Sequence, residues 1–176
     1  MNPKLFELIN KAQSLVVLPH IKPDGDAFGS SLAFCHAMKE MGKDCVIHAS
    51  ESLPDYLSFL EDESIRVVHE PIGDFDLQVV LDSADVGRVE DRYNPELTTI
   101  LIDHHRTNVG FGDAFWIEPD ASSTGEMIYS LIKELGVNFT TPIMEALYTA
   151  VVLDTGRFYY SSTGSSTLRL VADFID

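Results

Sequence analysis

Cysteine is scarce in this sequence. Among its 176 residues only Cys35 and Cys45 occur, ten positions apart and without a Cys-x-x-Cys spacing. So low a count excludes a disulfide-stapled scaffold, and the spacing does not form a thiolate metal site. We interpret the two residues as buried free thiols in a reducing compartment.

Positive charge is also scarce. The sequence has 12 lysines and arginines and 28 aspartates and glutamates, which gives a net charge of −16. So acidic a surface argues against broad binding to long nucleic acid, which needs basic groups along the phosphate backbone. It does not exclude a small phosphorylated ligand. Two divalent cations would change the net charge to −12 and concentrate positive charge where an anion docks.

Long hydrophobic runs are absent as well. No stretch approaches the roughly 20 apolar residues of a membrane span, and the N-terminus lacks the basic and apolar regions of a signal peptide. We therefore expect a cytoplasmic protein that does not enter a membrane. The hydrophobic content of 45% and the length suit one globular domain without repeats or linkers.

Short apolar runs are present, and four of them end in acids or imidazoles. The pairs are Val16–Leu18 with His20, Asp24 and Asp26; Val79–Leu81 with Asp82; Thr99–Ile102 with Asp103, His104 and His105; and Ala150–Leu153 with Asp154. An unpaired buried charge costs several kcal/mol, so polar groups at the ends of buried segments need a ligand or partner. The pattern predicts a metal site.

The apolar runs alternate with helical patterns, which predicts an α/β fold with a mainly parallel sheet and helices on both faces. Predicted strands cover 14–19, 43–49, 77–82 and 97–103, with 65–69 as a further candidate. Predicted helices cover 3–13, 27–41, 54–60, 123–135, 142–153 and 165 to the end, while 86–93 is irregular or weakly helical and 114–117 is a short apolar run. In such sheets ligands bind beyond the carboxyl ends of the strands.

Each candidate ligand also has a structural interpretation. Asp24 suits the turn around Gly25, and Asp26 suits the cap of the following helix. Alternatively, Gly25 lets the backbone bend so that these two carboxylates face two different cations, with His20 as a nitrogen ligand. Asp82 either accepts hydrogen bonds at its strand end or bridges two cations.

Asp154 and the Asp103–His105 segment are more specific signals. Asp154 follows the apolar run Ala150–Leu153, and aspartate has a low helix propensity. Helix formation therefore does not explain this residue well. In Asp-His-His, one imidazole can ligate a metal and the next can reach a substrate. The adjacent carboxylate can orient the rings.

These motifs together resemble the N-terminal catalytic domain of the DHH phosphoesterase superfamily, which includes the family II pyrophosphatases. All four superfamily motifs occur in order, as His20…Asp24-Gly25-Asp26, Leu81–Asp85, Asp103–His105 and Leu153–Gly156. Three longer segments are most similar to the branch of bifunctional oligoribonucleases and phosphoadenosine-phosphate phosphatases, namely Pro23–Ser30, Asp103–Asn108 and Ala121–Glu126.

The resemblance implies a site for two Mn²⁺ ions, with Mg²⁺ as an alternative. One ion would be held by His20, Asp24 and Asp82, and the other by Asp26, Asp82, His104 and Asp154, so that Asp82 bridges them. His105 would contact the substrate phosphate, and Asp103 would support the histidines. A set of oxygen and imidazole ligands without thiolates suits these metals on chemical grounds too.

Arg106 and Arg157 lie beside two of the motifs and are candidate phosphate clamps, because arginine pairs bidentately with phosphate. Each is equally explained as a surface charge. We include both with His105 and Asp103 in the expected catalytic set.

The implied activity is Mn²⁺-dependent hydrolysis of short oligoribonucleotides or of 3′-phosphoadenosine 5′-phosphate, by a hydroxide that two metals activate. Alternatives within the same chemistry are an inorganic pyrophosphatase and a linear or cyclic dinucleotide phosphodiesterase. A different class is a non-catalytic, metal-holding domain that senses nucleotides. A homodimer is compatible with each of these.

The resemblance also implies a domain organisation. Residues 1–176 would form the metal-binding catalytic domain, and nothing in them matches the C-terminal substrate-binding domain of this branch. The amphipathic pattern is still in progress at the last residues. We therefore expect a truncated end and a longer natural protein.

Overall fold

Six parallel strands form the centre of the computed structural model, which describes residues 2–70 and 73–175. The strands are β1 Ser14–Pro19, β2 Asp44–His48, β3 Arg66–Val68, β4 Leu77–Leu81, β5 Thr99–Asp103 and β6 Ala114–Ile117. Their order in the sheet is β3-β2-β1-β4-β5-β6. All the carboxyl ends therefore meet at one edge, and the predicted α/β fold with a parallel sheet is confirmed.

Alternate side chains of the strands point to the two faces of the sheet. Leu15 and Val79 belong to the larger core, which the sheet shares with the α-helices. Leu18 and Val80 belong to a smaller core on the other face, where Val89 of the 3-10 helix Val86–Arg92 covers them. Both faces are thus buried, which explains why the central strands are continuous apolar runs.

Within the described part of the chain, five α-helices accompany the sheet: α1 Pro3–Lys11, α2 Gly25–Glu40, α3 Thr124–Glu134, α4 Thr141–Asp154 and α5 Ser165–Asp173. In α2, every residue from Gly25 to Met38 is buried. This helix packs most extensively against α4. Gly29 permits the close approach, because a Cβ there would lie 2.5 Å from the carbonyl oxygen of Ala146.

Three features refine the sequence expectations. The run Ala114–Ile117 is an edge strand that pairs with β5, although its composition predicted only a short apolar segment. Helix α2 begins at Gly25 because Asp24, and not Asp26, caps it. Helix α5 ends at Asp173, and the last residue of the predicted helix lies outside the described residues.

The two cysteines are buried and free, as the sequence predicted. None of the helices within residues 2–70 and 73–175 combines the length and apolar character that crossing a membrane requires.

Candidate metal centre

The polar residues that follow the strands meet at the carboxyl edge of the sheet. His20 follows β1, Asp82 follows β4, and His104 follows β5. The first turn of α2 and the last residue of α4 point to the same place, so Asp26 and Asp154 join them. The structure therefore brings all six predicted metal ligands into one cluster.

Asp82 lies in the middle of this cluster and is 3% exposed. Its Oδ2 atom is 3.6 Å from His20 Nε2, and its Oδ1 atom is 3.7 Å from His104 Nε2. The backbone at Asp82 has a φ of 56°, in the left-handed region that aspartate adopts more readily than bulkier residues do. The turn ends β4 and directs the carboxylate between the two imidazoles.

On one side of Asp82, His20 and Asp24 complete a group of three ligand atoms that lie within 4.8 Å of one another. The Nε2 atom of His20 is 3.8 Å from Asp24 Oδ1. The other ring nitrogen, Nδ1, is 2.7 Å from the carbonyl oxygen of Ile21. Because a carbonyl only accepts, Nδ1 carries the proton and Nε2 is free to bind a cation.

On the other side, Asp26, His104 and Asp154 form a second group of the same size. His104 Nε2 lies 3.9 Å from Asp26 Oδ2 and 3.5 Å from Asp154 Oδ2. Asp154 is the last residue of α4, where the negative end of the helix dipole disfavours a carboxylate. Its position is unfavourable for the helix alone and suits a cation.

The electrostatics of the cluster also favour cations. Burial and the charge of Asp24 raise the pKa of Asp82 to about 6. Burial, together with Asp82 and Asp154, raises the pKa of Asp26 well above its usual range. Burial likewise raises the pKa of Asp154. Crowded, desolvated carboxylates repel one another, and divalent cations among oxygen and imidazole ligands would relieve that repulsion.

Asp103 and His105 form a separate pair beside the cluster. His105 Nδ1 donates to Asp103 Oδ1 at 2.7 Å, and this bond is the largest reason that the pKa of His105 rises to about 9. Burial acts to raise the pKa of Asp103, but the bonds from His105 and Asn108 lower it. His105 Nδ1 is also 3.7 Å from Asp82 Oδ1. Since Asp103 already holds that nitrogen, the free Nε2 atom is the one available to a substrate.

Asn108 was not recognised from the sequence as a site residue. Its Nδ2 atom donates to Asp103 Oδ2 at 2.6 Å and to the carbonyl oxygen of Ser83 at 3.0 Å. It thereby joins the segment after β5 to the segment after β4. The only sequence signal was its place in the stretch Asp103–Asn108, which carried part of the family resemblance.

The start of α3 also reaches the cluster, which the sequence did not predict. Thr124 and Gly125 donate their amide protons to Asp26, at 2.7 and 2.9 Å. The spacing Ser123-x-x-Glu126 is that of a capping box, which forms here only in part: Ser123 accepts from the amide of Glu126, whereas the carboxylate of Glu126 accepts from the amide of Ser122. A capping pattern marks the start of a helix, but it does not show that the start faces a distant carboxylate.

The two arginines lie at the surface. Arg106 forms an ion pair with Asp120 at 2.8 Å, and its side chain is 74% exposed. Arg157 is exposed in the turn after α4, with a φ of 59°. Their role as phosphate clamps stays a prediction.

The family described as the DHH family, N-terminal domain, matches residues 14–151. A bifunctional oligoribonuclease and PAP phosphatase, NrnA, of Bacillus subtilis is 32% identical over 99% of this chain. The NrnA protein of Thermus thermophilus is 37% identical over 92% of it. The chain spans about half of these relatives, 56% of the first and 49% of the second.

The chain is also similar to two relatives of other kinds and to a protein of known structure. A probable manganese-dependent inorganic pyrophosphatase of Enterococcus faecalis is 26% identical over 82% of this chain, which spans 49% of that relative. A cyclic-di-AMP phosphodiesterase, PdeA, of Listeria monocytogenes is 28% identical over 93% of this chain, which spans 28% of that relative. An exopolyphosphatase-related protein of Bacteroides fragilis has the same fold, with a TM-score of 0.89 at 24% identity over 98% of this chain and 55% of its own.

Proposed function

The chain belongs to the DHH family, whose members are phosphoesterases, and from this premise we propose that it is a manganese-dependent phosphoesterase. Its substrates are short oligoribonucleotides, 3′-phosphoadenosine 5′-phosphate, or both. Residues 1–176 form the metal-binding catalytic domain. The two NrnA relatives support this choice of substrates.

One observation carries the proposal: Asp82 presents one carboxylate oxygen to each of two ligand groups. His20 and Asp24 would hold one Mn²⁺ with Asp82, and Asp26, His104 and Asp154 would hold the other with it. When bound, the two cations would activate a water molecule and neutralise charge on the phosphoryl oxygens. The similarity of this chain to a probable manganese-dependent inorganic pyrophosphatase supports this metal.

The protein's own groups have distinct tasks around the substrate. Asp103 holds the proton on His105 Nδ1 and fixes the plane of the ring. The ring is 45% exposed, so its Nε2 atom can reach a phosphoryl oxygen. A positively charged imidazole there stabilises the negative charge that builds on phosphate during hydrolysis. Arg106 and Arg157 remain candidates for a second contact with phosphate.

We also propose a cytoplasmic location and small, soluble substrates. The net charge of −16 disfavours long nucleic acid, whereas a short substrate can be held through the metal centre and His105. Similarity to a probable inorganic pyrophosphatase and to a cyclic-di-AMP phosphodiesterase makes pyrophosphate and dinucleotide hydrolysis the second candidate activities.

A three-substrate assay tests the proposal. The purified chain is incubated with Mn²⁺ and with pyrophosphate, 3′-phosphoadenosine 5′-phosphate or the dinucleotide pApA. The bound metal is counted in parallel. We expect two Mn²⁺ per chain and release of AMP from the two nucleotide substrates.

Faster hydrolysis of pyrophosphate than of either nucleotide would favour the pyrophosphatase alternative. Binding of the nucleotides with Mn²⁺ but without turnover would favour a sensing domain. A chain that binds no divalent metal would contradict the proposal as a whole.

A further inference from the structure

The carboxylate of Asp26 is almost fully occupied by protein donors. Its Oδ1 atom accepts from the hydroxyl of Ser30 at 3.0 Å and from the amide of Gly125 at 2.9 Å. Its Oδ2 atom accepts from the amide of Thr124 at 2.7 Å. A carboxylate has about four lone-pair positions, so one position remains, on Oδ2. That atom is also the one that faces His104.

Thr124 makes a second contact that reaches the other central ligand. Its hydroxyl donates to Asp82 Oδ1 at 3.0 Å, across 42 positions of sequence. The residue is completely buried. A single threonine thus holds Asp26 through its backbone amide and Asp82 through its side chain.

We propose that Thr124 is a positioning residue that sets the relative orientation of Asp26 and Asp82 for the two cations. This inference rests on the proposed function, because it concerns the same metal centre. The amide leaves one oxygen of Asp26 available and so makes it a monodentate ligand. The hydroxyl fixes the plane of Asp82, so that its Oδ1 faces the His104 side while its Oδ2 faces His20.

The hydroxyl is the part of this arrangement that mutation can isolate. The Thr124→Val variant keeps the shape and the backbone amide but removes the donor to Asp82. The Thr124→Ser variant keeps the donor. Outer contacts of this kind are typically worth about 10- to 100-fold in metal affinity or activity.

The experiment titrates the wild-type chain and both variants with Mn²⁺, using calorimetry and the electron paramagnetic resonance signal of free Mn²⁺. We expect the Thr124→Val variant to bind the second, more weakly held Mn²⁺ ion roughly 10- to 100-fold less tightly than the wild type does. We expect Thr124→Ser to stay within about threefold of the wild type. Thermal unfolding in EDTA reports the stability of each chain without metal.

The control variant Ser123→Ala separates metal positioning from helix stability. Ser123 caps α3 by accepting from the amide of Glu126, and among the described residues its side chain makes no hydrogen bond to a metal-ligand candidate. Loss of this cap should lower the unfolding temperature in EDTA, while Mn²⁺ affinity stays close to that of the wild type.

Wild-type affinity in Thr124→Val would overturn the inference. Equal loss in the valine and serine variants would also overturn it, because the effect would then come from shape and not from the hydroxyl. Both results leave the proposed function intact, since the wild type would still bind two ions. A wild-type chain without Mn²⁺ binding would instead contradict the proposed function and this inference together.

Discussion

At the scale of single residues, Asp82 combines several features that are unfavourable without a bound cation. It is buried, it adopts a left-handed backbone conformation, and its carboxylate lies among three imidazoles. Non-glycine residues in sparsely populated backbone regions typically cost about 1–3 kcal/mol. Proteins retain such backbone strain where function needs the side chain in that one orientation. The strain at Asp82 is consistent with a carboxylate that bridges two cations.

The Asp82→Ala variant should therefore lose both Mn²⁺ ions, because each ligand group loses its shared oxygen. The His105→Ala variant should keep both ions and lose activity, since His105 Nδ1 is engaged by Asp103 and only Nε2 is free to contact substrate. Metal counting after dialysis, with the rate of pApA hydrolysis measured in parallel, distinguishes the two effects. Retention of both ions by Asp82→Ala would remove its bridging role.

Asn108 should contribute to both stability and rate. The Asn108→Ala variant leaves Asp103 Oδ2 and the carbonyl of Ser83 without their donor inside the protein. An unsatisfied buried polar group costs about 1–3 kcal/mol, so urea denaturation should show a loss in this range. Turnover should fall as well, because Asp103 then holds His105 less rigidly.

The neighbouring Thr107 is exposed and provides the matched control. The Thr107→Ala variant should change the free energy of unfolding by less than about 0.5 kcal/mol. If Asn108→Ala behaved like Thr107→Ala in both measurements, the role assigned to Asn108 would be wrong.

The sequence identified the candidate ligands and the supporting carboxylate of Asp103, but not the further contacts made by Asn108 and Thr124. His20, Asp82 and His104 follow apolar strands, and that local pattern is visible in one dimension. Thr124 contacts Asp26 across 98 positions, so its role depends on how two helices approach each other. No local pattern contains that information.

At the scale of secondary-structure elements, the packing of α2 against α4 determines where two ligands lie. Asp26 is in the first turn of α2 and Asp154 is the last residue of α4, and the helices meet closely at Gly29. The edge strand β6 shows the limit of prediction at this scale. The four apolar residues Ala114–Ile117 are too short a run to predict a strand by themselves, and their pairing with β5 shows that they form one.

The Gly29→Ala variant should destabilise the protein. The added Cβ would lie 2.5 Å from the carbonyl oxygen of Ala146, which is backbone and cannot rotate away. Overpacking typically costs about 1–3 kcal/mol. The gain in helix propensity is only about 0.5–1 kcal/mol, so the free energy of unfolding should fall overall.

Urea denaturation in EDTA measures this loss, and Mn²⁺ titration should show weaker binding because the helix shift separates Asp26 from Asp154. Lys39→Ala, in the exposed last turn of α2, should leave both quantities nearly unchanged. Unchanged or higher stability in Gly29→Ala would show that α2 and α4 can separate without cost.

At the scale of the whole molecule, acidity and the metal centre are connected. A net charge of −16 opposes compaction, and several of the carboxylates are concentrated at one edge of the sheet. Any ion that binds this edge in the folded state alone adds its binding free energy to stability. The folded protein should therefore be distinctly more stable with metal than without it.

Mn²⁺ should raise the unfolding temperature along a saturable curve, and EDTA should reverse the change. At 100 times its dissociation constant, an ion that binds only the folded state adds about 2.7 kcal/mol, which corresponds to roughly 5–10 °C for a domain of this size. NaCl at matched ionic strength is the control, because it screens surface repulsion without occupying the cluster. An equal shift with NaCl would show that general screening, and not a bound ion, stabilises the fold.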